Sequence, residues 1–478
     1  MNLKNKNLFR QENLGSSGWL DSKEEIAVTN PSNQAIIGNI PNLEIFKIKQ
    51  IIEDAQIAFE KWKNFTGKQR SKIMRKWHDL ILENLEDLAI ILTTEQGKPL
   101  SEARAEITYA ASFVEWFSEE AKRVLGDVIL APKENQKIIT LKEPIGVVAA
   151  ITPWNFPSAM ITRKAAAAMA AGCSIILKPS ELTPFSALAL GVLAIEAGIP
   201  QGVLNIVTGD PQKIGEEFCN NKIIRKISFT GSTKVGKLLF NQSGNDLKRL
   251  SLELGGSAPF IIFADANLDS AIAGLIHAKF RNGGQACTCV NRIFVEEKIH
   301  DEFLIKFLND TKKLKVGDGF ESGSNIGPMI SCAAIKKVEK LIEEAIKQGA
   351  KCEIGGKIIK DQFFAPTILS NVNQEMAIAK EEIFGAVAAI QKFKSEEELI
   401  KKANDTDYGL GSYIYSNDAS KIWRIASSLE FGMVAINECS FATEIAPFGG
   451  IKHSGFGKEG SHLGIEEFCQ IKTLHWSF

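Results

Sequence analysis

The chain lacks the features that mark several large classes of protein. Its 56 Lys and Arg stand against 57 Asp and Glu, a formal net charge of −1. Nothing in that balance argues for a nucleic-acid partner or an anionic membrane surface. Long apolar runs are missing too. The longest uncharged run, Pro144 to Thr162, contains Pro153, Asn155 and Pro157 and reads as strand plus loop, not as a bilayer span. The opening MNLKNKNLFR is polar and basic with no apolar core behind it, unlike a secretory leader. Cysteine is sparse: eight in 478 residues, no two with CxxC spacing. This excludes a disulfide scaffold and removes the common zinc signature. No metal is expected, and a reducing cytoplasm is the simplest setting. Internal repeats and low-complexity linkers are also absent.

What remains is an ordinary globular composition, 45% hydrophobic and 24% charged, long enough for two or three domains. The N-terminal part reads as helical. Ile45, Ile48, Ile51, Ile52, Ala55, Ala58, Phe59 and Trp62 recur at steps of three and four, which makes one apolar stripe. A second helix carries Ile73, Trp77, Leu80, Ile81, Leu85 and Leu88 and stops near Gly97. From about Lys137 the texture changes. GVVAAIT, SIILK, VLNIVTG and KISFTGS are short β-branched runs, each followed by a loop rich in Gly, Pro, Ser or Thr. Between them lie helical stretches, Ser158 to Ala171 ended by Gly172, and Thr183 to Ala197 ended by Gly198. The second is expected to use Thr183 as N-cap with Pro184 in the first helical position. After Glu253 the alternation resumes with PFIIF, a helix over Leu268 to Arg281, NRIFV, a helix through Leu314, and further units to about Ile436. Buried strands alternating with helices predict parallel sheets covered on both faces. Two α/β domains joined near Gly255–Gly256 are expected.

Two stretches suit a phosphate-bearing ligand, and one imitates such a site. GFGKEG, Gly455 to Gly460, satisfies GxGxxG, but PFGGIKHS precedes it where an apolar strand should be; a turn-rich loop is the better reading. KISFTGSTKVGKLLF is better placed, with a strand, then Gly231-Ser232-Thr233, then Gly236 inside an opening helix. Backbone N–H groups at a helix N-terminus attract phosphate. A plain strand-to-helix turn with a Ser/Thr cap fits the same residues equally well. LKPSELTP follows another strand end and sets Lys178 and Glu181 at the carboxyl edge of a parallel sheet, the usual ligand side. A carboxylate there can accept both ribose hydroxyls of NAD and would repel the 2′-phosphate of NADP. A solvated loop with a helix-capping Glu is the structural alternative.

Three further stretches carry reactive groups: TPWNFP at 152–157, LELGGSAP at 252–259 and RNGGQACTC at 281–289. An amide (Asn155), a carboxylate beside glycines (Glu253) and a thiol in a Gly-rich loop (Cys287) suit acyl chemistry. The thiolate attacks a carbonyl, the amide donates to the developing oxyanion, and the carboxylate takes a proton from water. The rival class, a thiol hydrolase or acyltransferase without a redox step, needs a His to activate the thiol. His277, ten residues before Cys287, is the nearest of six, and a helix-surface or core role suits it better.

TPWNFP, FTGSTKVG, LELGG, GGQACTC, EEIFG, NDTDYGL and PFGGIKHSGFGKE keep the order and spacing of a known set. Together they resemble the NAD(P)-dependent aldehyde dehydrogenases over almost the whole chain. The resemblance implies a modified Rossmann cofactor domain (1–123 and 144–254, rejoined by 455–468), an α/β catalytic domain (255–454) and a small β oligomerisation flap (124–143 and 469–478). It implies a dimer or tetramer of identical subunits. Position by position, it implies Cys287 as nucleophile, Glu253 as base, and Asn155 with the Cys287 N–H as oxyanion hole. Lys178 and Glu181 would hold the adenosine ribose, with NAD preferred over NADP on account of Glu181. Ser232 would contact the pyrophosphate, with Gly231, Gly236 and Leu254 also binding the cofactor; Trp154 would lie beside it, and Glu382 and Phe384 would meet the nicotinamide ribose and ring. Glu459 matches a second carboxylate of a proton relay.

Within the family, PSAMITRKAAAAMAAGC, KFRNGGQACTCVNR and LKVGDG most resemble succinate-semialdehyde dehydrogenases. Arg163 and Arg281 match that group's grip on the distal carboxylate of its substrate, and a guanidinium fork suits a carboxylate. Two structural ion pairs are the alternative for these arginines. The serine that group adds before PFGG is replaced by Ala442, with Thr443 beside it as substitute, a departure that points toward a longer semialdehyde such as glutarate semialdehyde. Ala386 replaces the usual Pro after EEIFG. Cys289 reads as a bystander, although related enzymes pair the two thiols of CxC; such a bridge would be strained.

Overall fold

A computed structural model describes residues 1–478. The strands Val147–Ile151, Ser174–Lys178, Leu204–Ile206, Ile224–Thr230 and Arg249–Glu253 run parallel in one eight-stranded sheet. They are buried almost throughout, as expected where helices cover both faces. Going outward from Val147–Ile151, the chain adds Ser174–Lys178 and Leu204–Ile206 on one side and Ile224–Thr230 and Arg249–Glu253 on the other. Strand order therefore reverses between Val147–Ile151 and Ile224–Thr230. In an open parallel sheet the crevice at such a reversal is where ligands bind, outside the carboxyl ends of the strands.

A seven-stranded sheet follows in the order Lys351–Ile354, Thr367–Ser370, Val387–Phe393, Val290–Glu296, Ala258–Ile262, Gly411–Tyr415, Met433–Ile436. Only a few residues separate Glu253, the last of the first sheet's parallel strands, from Ala258 of the second. The carboxyl edge of one sheet thus meets the amino edge of the other. Gly256 sits at this seam: a Cβ there would lie 2.4 Å from the Cys287 carbonyl oxygen. A third sheet, Cys469–Ser477, Gln136–Pro144 and Val128–Leu130, stands apart. Its Leu130 is 97% exposed, and Trp476 and Phe478 are exposed too.

Local sequence explains most elements. Ala159–Ala171 is buried along its whole length, and its small side chains let the long helix Leu100–Glu120 pack against it. Gly172 and Gly198 end their helices in the left-handed region at φ of 104° and 94°, which glycine alone adopts without cost. Other expectations need correction. The single helix expected over Ile73 to Leu88 is two, Gly67–Glu83 and Leu85–Gln96, broken at Asn84. The stripe continues across the break, so periodicity does not reveal it. Before Ile45 the chain has no α-helix, only one turn of 3-10 helix at Lys6–Leu8 and short strands, including the hairpin Glu25–Thr29 with Ile36–Pro41. Thr183 is not an N-cap either. That helix runs Phe185–Ala197, and its first N–H groups donate to the buried Glu95 carboxylate, Phe185 at 2.7 Å and Ser186 at 2.8 Å. In the GFGKEG stretch Gly455–Phe456 form a two-residue strand and Glu459 makes a single antiparallel bridge to Phe448.

Candidate active site

The nucleophile loop is held by three successive residues in the left-handed region, Asn282, Gly283 and Gly284. Gly284 passes the chain against Gly385, whose carbonyl oxygen would lie 2.2 Å from an added Cβ. The turn delivers Cys287 to the junction of two cavities. One, about 330 Å³, is walled by Phe156, Met160, Phe441 and Phe448 with Arg163, Arg281 and His277 among its polar members. The other, about 280 Å³, carries Trp154, Asn155, Gly231, Ser232, Leu254, Glu382 and Phe384. Phe156, Met160 and Cys287 belong to both. Burial pushes the Cys287 thiol up to about 12, with the Glu253 charge adding to it and Arg163 opposing. It therefore rests as a thiol.

Glu253 ends its strand on the seam, 3% exposed, and neither of its oxygens has a hydrogen-bond partner. Burial, then the charge of Glu459, raises it well above the ordinary carboxylate range. A buried carboxylate of raised pKa takes a proton readily near neutrality. Asn155 donates from Nδ2 to the Gln285 carbonyl at 3.0 Å, so one of its two amide hydrogens remains uncommitted. The Cys287 N–H donates to no group of the chain.

On the side of the smaller cavity, strand register sets Ile151 opposite Lys178 and Phe229, with Thr230 opposite Glu253. The loops after these strand ends flank the crevice at the strand-order reversal. Ser232 accepts the Val235 N–H and caps the helix Thr233–Ser243, and Gly236 leaves room for Leu254, 2.4 Å from where a Cβ would stand. Glu382 accepts the Gly256 N–H at 3.0 Å and is pushed up to about 7 by burial. Trp154 meets Phe384 edge to face, centroids 5.6 Å apart. Lys178 pairs with Glu181 at 2.8 Å; both lie outside the cavity wall proper. These residues suit an extended ligand with phosphates and ribose hydroxyls.

The two arginines differ. Arg163 is already committed: it pairs with Glu459 at 3.2 Å, donates to the Tyr109 hydroxyl at 2.7 Å, and its guanidinium lies 4.5 Å from the Phe448 ring centroid. Lys164 is the second cation on Glu459. Burial alone would raise Glu459, but Lys164 and Arg163 together hold it below the usual range. Arg281 forms no ion pair, and its guanidinium lies 5.2 Å from the Phe156 ring centroid. Ala442 lines the cavity while Thr443 does not; the Thr443 hydroxyl accepts the Ile445 N–H at 3.4 Å. His277 lines the cavity, against the expectation of a surface or core role. Sequence reading also missed Tyr109, Glu102 and Glu106 on the opposite wall; their only signal is helical spacing on Leu100–Glu120. Cys289 is buried, with the Lys279 ammonium 3.3 Å from its sulfur, and no disulfide joins it to Cys287.

The model of the aldehyde dehydrogenase family matches residues 19–474. The chain belongs to the aldehyde dehydrogenase family. It is 51% identical to the glutarate-semialdehyde dehydrogenase of Pseudomonas putida over 99% of both chains. It is 49% identical to the succinate-semialdehyde dehydrogenase (NADP(+)) of Escherichia coli, again over 99% of both. The crystal structure of the Burkholderia pseudomallei succinate-semialdehyde dehydrogenase superposes with a TM-score of 0.99 at 50% identity, covering 100% of each chain. Aldehyde dehydrogenases use NAD(P), and the expected preference for NAD finds no support in the NADP(+) relative. Physically, Lys178 already neutralises Glu181, whose side chain is 38% exposed, so no unpaired buried charge repels a 2′-phosphate. No helix is long and apolar enough to cross a membrane.

Proposed function

We propose that this aldehyde dehydrogenase oxidises succinate semialdehyde to succinate with a pyridine dinucleotide. The observation that carries the reading is the thiol at the junction of two cavities, one of them walled by the unpaired Arg281. Cys287 adds through sulfur to the aldehyde carbon, its thiol proton passing to Glu253, whose charge faces the thiol. The free Asn155 amide hydrogen and the Cys287 N–H receive the oxyanion, a role in which one donor is worth roughly 10²–10³ in rate. When bound, the nucleotide supplies the hydride acceptor that turns the thiohemiacetal into a thioester. Glu253, its first proton released to solvent, then takes one from water, whose oxygen adds to the thioester carbon; the C–S bond breaks, the acid leaves, and the Cys287 sulfur regains a proton from Glu253. Gly231, Ser232, Gly236, Leu254, Glu382, Phe384 and Trp154 hold the nucleotide along the smaller cavity, with Lys178 and Glu181 at its ribose end. Arg281 takes the distal carboxylate, and Arg163 acts chiefly on Glu459.

A second substrate, glutarate semialdehyde, is favoured by Ala442, which leaves more room on the cavity wall than a serine. A thiol hydrolase is disfavoured: His277 shares the cavity, but no hydrogen bond joins it to Cys287. Residues 1–123, 144–254 and 455–468 serve the nucleotide, 255–454 carry the nucleophile, and 124–143 with 469–478 join subunits of a cytoplasmic homo-oligomer. The exposed Leu130, Trp476 and Phe478 support that last role, and light scattering tests it. The decisive experiment measures reduced nucleotide formed from succinate semialdehyde, glutarate semialdehyde, betaine aldehyde and an uncharged aldehyde, with NAD and NADP in turn. The semialdehydes should give the highest kcat/KM; best turnover of the uncharged aldehyde overturns the carboxylate reading.

A further inference from the structure

Lys98 is a fully buried cation with 0% side-chain exposure, remote in sequence from every reactive group. Its ammonium donates to Glu106 Oε2 at 2.6 Å and to the backbone carbonyl of Asn155 at 2.8 Å, and it lies 3.9 Å from the Phe156 ring centroid. Glu106, equally buried, spends its other oxygen on the Ser158 N–H at 2.9 Å and the Ala159 N–H at 3.3 Å. The chain from 155 to 159 is therefore gripped from both ends by one ion pair.

A second tie reaches the same carbonyl. Asn282 donates from Nδ2 to the Asn155 and Gln285 carbonyls, 3.1 Å each, and Gln285 O also accepts the Asn155 side chain. Asn282 is in turn oriented by Gln96, whose Nε2 donates to its Oδ1 at 3.0 Å and whose Oε1 accepts the Lys98 N–H at 3.0 Å. The segment Gln96-Gly97-Lys98 thereby holds the amide-bearing loop and the nucleophile loop in one frame. A buried ion is retained only where its partners are fixed, and charged hydrogen bonds hold backbone more firmly than neutral ones.

We propose that Lys98, acting with Glu106 and Asn282, is a positioning residue for the oxyanion hole. It fixes the Asn155 backbone so that the free amide hydrogen meets the oxyanion, and it touches neither substrate nor nucleotide. The inference rests on Asn155 being the oxyanion donor, and the test separates the two ideas. Hydrolysis of p-nitrophenyl acetate uses the nucleophile and the oxyanion hole without a hydride acceptor. In that assay and in aldehyde oxidation, Lys98→Met should lower kcat on the order of 10- to 100-fold with aldehyde KM changed less than about threefold. Lys98→Arg, which keeps the charge in another shape, should fall between. Rates are divided by the p-nitrophenol burst, which counts folded, reactive sites, so partial misfolding does not enter. Asn155→Ala is measured first: if it leaves kcat unchanged, the oxyanion reading itself fails. If Asn155→Ala is impaired, the double variant decides. A double variant no slower than Asn155→Ala supports the proposal. Fully additive losses, or a Lys98→Met effect confined to KM or burst size, overturn it. If Lys98→Met yields no folded protein, Glu106→Gln carries the same cycle with the same outcomes.

Discussion

Replacing Arg281 by Met removes the one cavity guanidinium without an ion-pair partner while keeping an unbranched apolar side chain against Phe156. A hydrogen bond to a charged group contributes about 1.5–3 kcal/mol, a factor of roughly 10–150 at about 1.4 kcal/mol per tenfold. Arg281 is only partly buried, so solvent screening favours the lower part of that range. We expect kcat/KM for succinate semialdehyde to fall about 10- to 50-fold and that for butanal to change less than about threefold. The assay is initial-rate absorbance of reduced nicotinamide at saturating nucleotide. Arg163→Met is the contrast: it strips a buried partner from Glu459, so both aldehydes should suffer alike. Equal losses for the two aldehydes in Arg281→Met, or none for the semialdehyde, refute the assignment of the distal carboxylate to Arg281.

Cys287→Ser should abolish aldehyde oxidation, whereas Cys289→Ser, two residues on, should keep most of it; steady-state rates of both variants check this. Because burial holds the Cys287 thiol up to about 12, iodoacetamide should inactivate the nucleotide-free enzyme about tenfold faster per pH unit from neutrality toward pH ~10; a plateau near neutral pH contradicts the raised value. Glu253 is held above the ordinary carboxylate range, so its base form fills as pH rises and is lost as pH falls through that raised value. Thioester hydrolysis should accelerate with pH accordingly, and Glu253→Gln should flatten the profile in single-turnover measurements.

Much of this architecture is legible in the chain because parallel strands read as unbroken β-branched runs, as in SIILK and VVAAI, and because Gly172 and Gly198 mark helix ends. The reactive residues are legible because each sits in a Gly- or Pro-rich loop at a strand end. What stays hidden is whatever depends on a partner far along the chain. Glu95 caps, across ninety residues, a helix for which the local sequence offers Thr183 as cap. Glu459 claims Arg163, the ion-pair alternative to a grip on substrate, and only the fold reveals which carboxylate is the partner. Lys98 looks like one more surface lysine until the fold closes over it. The break at Asn84 is invisible for a different reason: the apolar stripe runs through it on both helices.

In the proposed cycle Cys287 carries the acyl group of the oxidised aldehyde. The most direct test is mass spectrometry of Glu253→Gln after mixing with succinate semialdehyde and oxidised nucleotide, followed by peptide mapping. One succinyl group per active site is expected, on Cys287, formed only when oxidised nucleotide is present. A stable adduct formed without nucleotide, an adduct on Cys289, or reduced nucleotide produced with no acyl group on the enzyme would contradict that cycle.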